Sequence, residues 1–127
     1  MRRSLVFASA LALALAIPLG QAGAQQQRPA QREAVRIGIL SDMSGSFADV
    51  AGPGSVVAAQ LAAEDFGGRA AGLPVQIVSG DHQNRADVGS ALARRWVDVE
   101  GVDAIVDLPN SAVALAVGDV VRNANRT

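Results

Sequence analysis

The chain contains no cysteine, which excludes disulfides, a lipid-modified cysteine and thiolate metal sites. Lysine is absent as well, so the lysine of a phosphate-binding loop cannot exist here, and Gly52-Pro53-Gly54 reads as entry to a helix. Aromatic residues amount to three phenylalanines and one tryptophan, and the basic residues are scattered arginines. With neither a stacking platform nor a basic stripe, nucleic acid is not an expected partner. His82 is the only histidine, and no motif sets a serine nucleophile or metal ligands beside it. The expectation is a protein that is not an enzyme and needs no cofactor or metal.

The N-terminus is the most patterned segment. Met1-Arg2-Arg3 forms a positive start, Leu5 to Ile17 is an apolar run, and Ala22-Gly23-Ala24 fits a small-residue cleavage site before Gln25. The run is shorter than the roughly 20 residues of a membrane span, so residues 1–24 are expected to be a cleaved signal peptide, and Arg2-Arg3 gives a weak twin-arginine hint. Removing them takes two arginines and no acid, leaving nine basic and twelve acidic groups. Residues 25–33, rich in glutamine, read as a flexible leader. A single folded unit is expected over residues 34–127.

Within that unit strands and helices alternate. Val35 to Leu40 is apolar and β-branched, and Ser41 to Ser46 ends it with turn formers. A helix is expected to run to about Phe66, with Val57, Leu61 and Phe66 facing inward, and Gly67-Gly68 stops it. Pro74 to Ser79 forms a second strand. Asn84 is expected to cap the next helix, where Val88, Leu92, Trp96 and Val99 share one face until Gly101; Trp96 reads as core and Arg94-Arg95 as a solvated face. Ala104, Ile105, Val106 and Leu108 form a short apolar run expected to be buried on both faces, ended by Pro109. Asn110 or Ser111 then caps a helix whose stripe is Val113, Val117, Val120, Val121 and Ala124.

Alternation of this kind implies an α/β fold, a three-layer Rossmann-like parallel sheet of βαβαβα type with strand order 2-1-3. Ligands in such sheets lie outside the carboxyl ends of the strands at the switch in order. That rule places Ser41 to Ser46 and Leu108 to Ser111 on two walls of one crevice, bordered by Asp81 to Asn84. Ser44, Ser46, Asn110 and Ser111 offer donors and acceptors, and the N–H groups at the helix start suit an anionic group. Taken one at a time, each serine fits a turn or cap role better, and it is their convergence that favours binding. Asp42 and Asp107, near the ends of neighbouring strands, also admit a phospho-acceptor site of the receiver type.

Val35 to Leu40 with Ser41-Asp42-Met43-Ser44-Gly45, Ala63-Glu64-Asp65-Phe66-Gly67-Gly68, Gly80-Asp81-His82-Gln83-Asn84 and the run from Asp98 to Val117 resemble the type I periplasmic binding proteins of the branched-chain amino acid branch. The resemblance spans about residues 35–124 and covers only part of that family's first lobe, so the chain reads as an N-terminal fragment. It implies an extracytoplasmic, periplasmic solute receptor of an ABC importer, two lobes closing on a small molecule, and membrane permease subunits as partners. It also implies ligand contacts at Ser44, Gly45, Ser46 and Phe47 in the first loop and at Asn110, Ser111, Ala112 and Val113 in the third. Amino-acid-binding members carry a run of hydroxyl residues where this chain has Asn110-Ser111-Ala112-Val113, which points toward an organic acid, an amide or a modified amino acid. A ligand-sensing regulator of the same fold is the alternative, with the receiver-like domain behind it.

Overall fold

The β-branched run after Ala34 is a strand because it is buried between two neighbours. In the computed structural model, which describes residues 32–125, β1 (Val35–Ser41) runs parallel to β3 (Leu73–Asp81) from Val35↔Val75 to Ser41↔Asp81. On its other side β1 is parallel to β4 (Ala104–Val106), from Ile37↔Ala104 to Ile39↔Val106. These three strands lie in the expected 2-1-3 order. A further two-residue strand, β2 (Arg69–Ala70), pairs antiparallel with the start of β3 and extends the sheet to β2-β3-β1-β4. Its hairpin turns through Ala71 and Gly72, both at positive φ (51° and 80°), which matches the twist of the strands it joins. The expected signal peptide, residues 1–24, and most of the leader lie outside the described residues.

Side chains alternate across the sheet, so each face has its own cover. Gly38 and Gly80 lie beneath the ring of Trp96, where a Cβ at Gly38 would stand 2.4 Å from the ring and one at Gly80 2.9 Å. Glycine is required there because only bare backbone admits an indole so close. Around Trp96 the buried residues Leu40, Ala93, Val102, Val113 and Val117 form the core, contributed by β1, α2 (Ala86–Arg95), α3 (Ser111–Asn123) and the segment before β4. The valine stripe expected on α3 is the one observed, Val113 and Val117 being fully buried and Val120 and Val121 packed beside them.

Three expectations about packing are corrected. On α1 (Gly52–Asp65), which begins at Gly52 itself, Val57, Leu61 and the following Phe66 are 54%, 55% and 74% exposed. The half-buried residues toward the sheet include Ala59 and Ala63, which with Ala62, Phe66, Val35, Ile37, Val75 and Ile77 line an open cavity of about 400 Å³. Alanine carries too little apolar area to mark a stripe against neighbouring valine and leucine. Secondly, Val99 is 79% exposed while Val97 is buried. The helix passes into a π-helical turn, Trp96–Glu100, closed by Gly101 at φ 66°, and the wider turn shifts which residues face the core. Thirdly, Val106 is 42% exposed: α1 lies over β1 and β3, and no element among the described residues covers β4 on that side.

At the end of the sheet opposite the loops of interest, Asp103 ties β1 to β4. Its Oδ2 accepts from the Arg36 backbone N–H at 2.9 Å and it also pairs with Arg32, while Arg36 donates to the Glu100 carbonyl at 2.6 Å. Strand register is thereby fixed at one end, and the loops at the carboxyl ends are set against a fixed frame.

Candidate functional site

Three loops meet at the carboxyl ends of β1, β3 and β4, as the strand order requires. The first, residues 42–51, is shaped by Asp42, which is fully buried. Its carboxylate accepts from the N–H of Gly45 at 2.8 Å and of Phe47 at 3.0 Å. A Cβ on Gly45 would lie 2.6 Å from that carboxylate, so glycine there lets the loop close over the acid. Ser41 Oγ, also buried, accepts from the Gly52 N–H at 2.9 Å and joins the loop's far end to the start of α1. With both oxygens engaged inside the fold, Asp42 is a loop anchor, and the receiver-type alternative loses the acid it needs after the first strand.

Asp81, at the end of β3, holds the first loop from outside. It accepts from the Met43 N–H at 3.1 Å, from Ser44 Oγ at 2.7 Å and from the Gln83 N–H at 2.7 Å. Burial by itself would raise the pKa of this carboxyl, but the hydrogen bonds from Ser44, Gln83 and Met43, with the nearby His82, outweigh it and hold the pKa below the ordinary value. His82 is fully buried and accepts from the Asn84 N–H through Nδ1, while its Nε2 has no hydrogen-bond partner among the described residues.

The third loop is fixed by an asparagine pair. Asn110 caps α3, its Oδ1 accepting from the N–H groups of Ala112 at 2.8 Å and Val113 at 3.1 Å, and its Nδ2 donates to Asn84 Oδ1. Asn84 is therefore not the cap of α2. That helix has Arg85 before it with no side-chain cap bond, and Asn84 sits at φ 55° in the turn, a conformation asparagine tolerates. Gly89 on α2 brings the two helices together near this end, since a Cβ there would stand 2.6 Å from Val113 Cγ1.

Of the eight residues expected at the site, Ser44, Gly45, Ser46, Ser111 and Ala112 are exposed at the loop end of the sheet, and Phe47 and Asn110 are half-buried. Val113 is corrected: its side chain is fully buried in the core and its N–H is held by Asn110, because the third helical position turns under the cap toward α2. The helix-start N–H groups expected to receive an anion are likewise reduced, two of them being bonded to Asn110. Asp81 and Asn84 stand on the border where the sequence set them; what sequence reasoning missed is that their side chains join the three loops. A signal existed in their placement directly after a strand that ends between the two walls.

The described cavities lie elsewhere. One of about 480 Å³ runs between α2 and α3, lined by Arg94, Asp98, Asp119 and Asn123 among others, and the second is the apolar space under α1. Neither includes a residue of the three loops, which form an open wall.

Residues 34–127 match the family model described as periplasmic binding protein. Among solved structures, the chain is similar to a periplasmic binding protein from Burkholderia mallei, with 41% identity, a TM-score of 0.73, and coverage of 75% of this chain and 25% of that one. It is also similar to a branched-chain amino acid ABC transporter periplasmic ligand-binding protein from Burkholderia xenovorans LB400, with 51% identity, TM-score 0.70, and coverage of 72% and 25%. An ABC transporter substrate-binding protein from Sphaerobacter thermophilus follows at 26% identity and TM-score 0.67, with coverage of 74% and 25%. The chain thus spans about a quarter of the length of these solved relatives. No curated protein sequence matches it.

Proposed function

The chain belongs to the periplasmic binding protein family, and from that premise we propose that it forms part of the first lobe of a periplasmic solute receptor serving an ABC importer. The observation that carries this reading is the joining of three strand-end loops into one exposed wall through Asp81 and the Asn84–Asn110 pair. A receptor needs a rigid half-site on each lobe, because the binding free energy that closes the hinge is lost if the walls must first be ordered. No reaction is implied: the family and its solved relatives are described as binding proteins, and the protein is a binder, not an enzyme. Its partners are a small ligand and the membrane permease that recognises the closed form.

The ligand is a small amino-acid-like, amide or organic-acid molecule. The relative from Burkholderia xenovorans, described as a branched-chain amino acid ABC transporter protein, supports the amino-acid-like end of that range. Ser44, Gly45, Ser46, Phe47, Asn110, Ser111 and Ala112 line the first-lobe side. Residues 1–24 are removed after Ala24 on export, and residues 34–127 belong to the ligand-binding lobe.

The test is a thermal-shift screen of the full-length protein against amino acids, amides and aromatic acids, with the N-terminus of the exported protein read by mass spectrometry. A bound compound raises Tm by mass action, and a mature chain beginning at Gln25 is expected. If no compound in the three classes stabilises the protein and the N-terminus is retained, the receptor reading fails and a regulator of the same fold takes its place.

A further inference from the structure

We infer that the outer side of α1 is a self-association surface, on which a second copy of this chain lays its own α1 antiparallel to form a weak two-fold dimer.

A helix covering a sheet is expected to be apolar toward the sheet and polar outward. Over Gly52–Asp65 the only charged residues are Glu64 and Asp65, and the outward side carries Val57 and Leu61, one turn apart and more than half exposed. By the helical period Pro53 and Gly54 precede them, and Glu64 and Asp65 follow them, on that same side. All four are exposed. Helices are the outermost layers of a three-layer α/β fold, so further cover for the sheet belongs beside α1 over β4, and the stripe is turned away from it.

The charge pattern selects the partner. Both acids stand in the last turn, where they oppose the helix dipole, while the first turn holds no acid and Ala51 supplies no side-chain cap. Among the described residues neither acid takes part in an ion pair. A second α1 laid antiparallel, with the two-fold axis level with Ala59, sets Leu61 against the partner's Val57. The same register puts Glu64 and Asp65 over the partner's Gly54 and the partner's Pro53, at the positive end of its helix. Exposed Asp49 before the helix and exposed Arg69 after it also bring unlike charges together in this order. A parallel pair would instead crowd four carboxylates at one end.

Area sets the strength. Fourteen residues make a helix about 21 Å long, and contact along one such helix hides well under the roughly 800 Å² per partner of a standard interface. The dimer is therefore weak, with a dissociation constant of about 10 µM to 1 mM. The stripe begins at Pro53, beyond the first loop, so the wall takes no part in the contact.

The test is sedimentation equilibrium of the full-length protein from about 5 µM to about 1 mM, a span that brackets the expected dissociation constant. Wild type is expected to pass from monomer to dimer, and Leu61→Gln to weaken the dimer about tenfold. Its melting temperature at low micromolar concentration, where the monomer dominates, stays unchanged. Gly54→Asp separates docking from folding. A Cβ at Gly54 meets nothing and an acid in the first turn suits the helix's own dipole, yet it repels the partner's Glu64, so the dimer weakens about fivefold with no loss of monomer stability. Because the chain has no cysteine, orientation is read by crosslinking. Under mild oxidation Gly54→Cys mixed with Glu64→Cys is expected to give the mixed disulfide dimer, and Glu64→Cys alone to stay uncrosslinked. A wild type that remains monomeric throughout overturns the proposal, as does a dimer that Leu61→Gln or Gly54→Asp leaves intact, or one in which Glu64→Cys joins to itself. None of these readouts depends on whether a ligand for the receptor is found.

Discussion

The two faces of the sheet are covered in opposite ways. On one, a single large aromatic lies directly on glycine backbone and the helices behind it close the core. On the other, a helix lies over the strands through alanines, leaving a cavity of about 400 Å³ and turning its larger apolar residues to the outside. The strands present glycine at 38 and 80 to the first face and Val35, Ile37, Val75 and Ile77 to the second. The difference lies in where volume is supplied: by one indole on the first face, and by almost nothing on the second. Stability is therefore concentrated on the side that carries α2 and α3, the same side that positions the Asn110 cap through Gly89 and Val113.

If that concentration is right, Trp96→Ala has the largest effect, a loss of about 3–5 kcal/mol in a denaturant titration with unchanged slope. A loss under about 1 kcal/mol would show that the indole is replaceable and erase the contrast. Next comes a paired test of one added side chain per face. Gly38→Ala forces a Cβ into the Trp96 ring and is expected to cost about 1–3 kcal/mol, whereas Ala63→Leu enters the space under α1 and is expected to stabilise by about 0.5–2 kcal/mol. Equal costs at the two positions would mean that the second face is as tightly filled as the first. The smallest change is expected from Leu61→Gln on the outer side of α1, within about 0.5 kcal/mol, measured by thermal melting; a larger loss would reveal a partner for that helix face.

Sequence reading recovered the strands, their order and the third helix because each rests on a strong periodic or topological constraint. Val113 and Val117 repeat at helical spacing, and parallel strands joined by helices leave few orders to choose from. It failed on α1 because a helix that packs through alanine shows its more hydrophobic residues on the wrong side. Val99 was misplaced because a π-turn shifts the seam without any composition signal. At the site, the two walls were legible from the switch in strand order, and Asn110 from its place before an apolar stripe. The roles of Asp81 and Asn84 were not, since bonds that span 37 and 26 residues depend on how three loops come to lie together, which no local pattern encodes. Gly45 and Val113 illustrate the same limit: both lie near the carboxyl ends of the strands, yet one serves the Asp42 turn and the other the core.

The bare backbone under Trp96 also bears on how the molecule can be watched. This chain has one tryptophan, and it is sealed 4% exposed against the middle of the sheet, away from the loops that form the wall. Its emission should be blue and insensitive to water-soluble quenchers while the lobe is folded, so within this chain it serves as an optical marker of the integrity of the α2–α3 face. A colour shift on adding a small molecule would then signal a disturbance carried into the sheet itself, whereas a silent indole beside moving loop amides would locate the event at the rim.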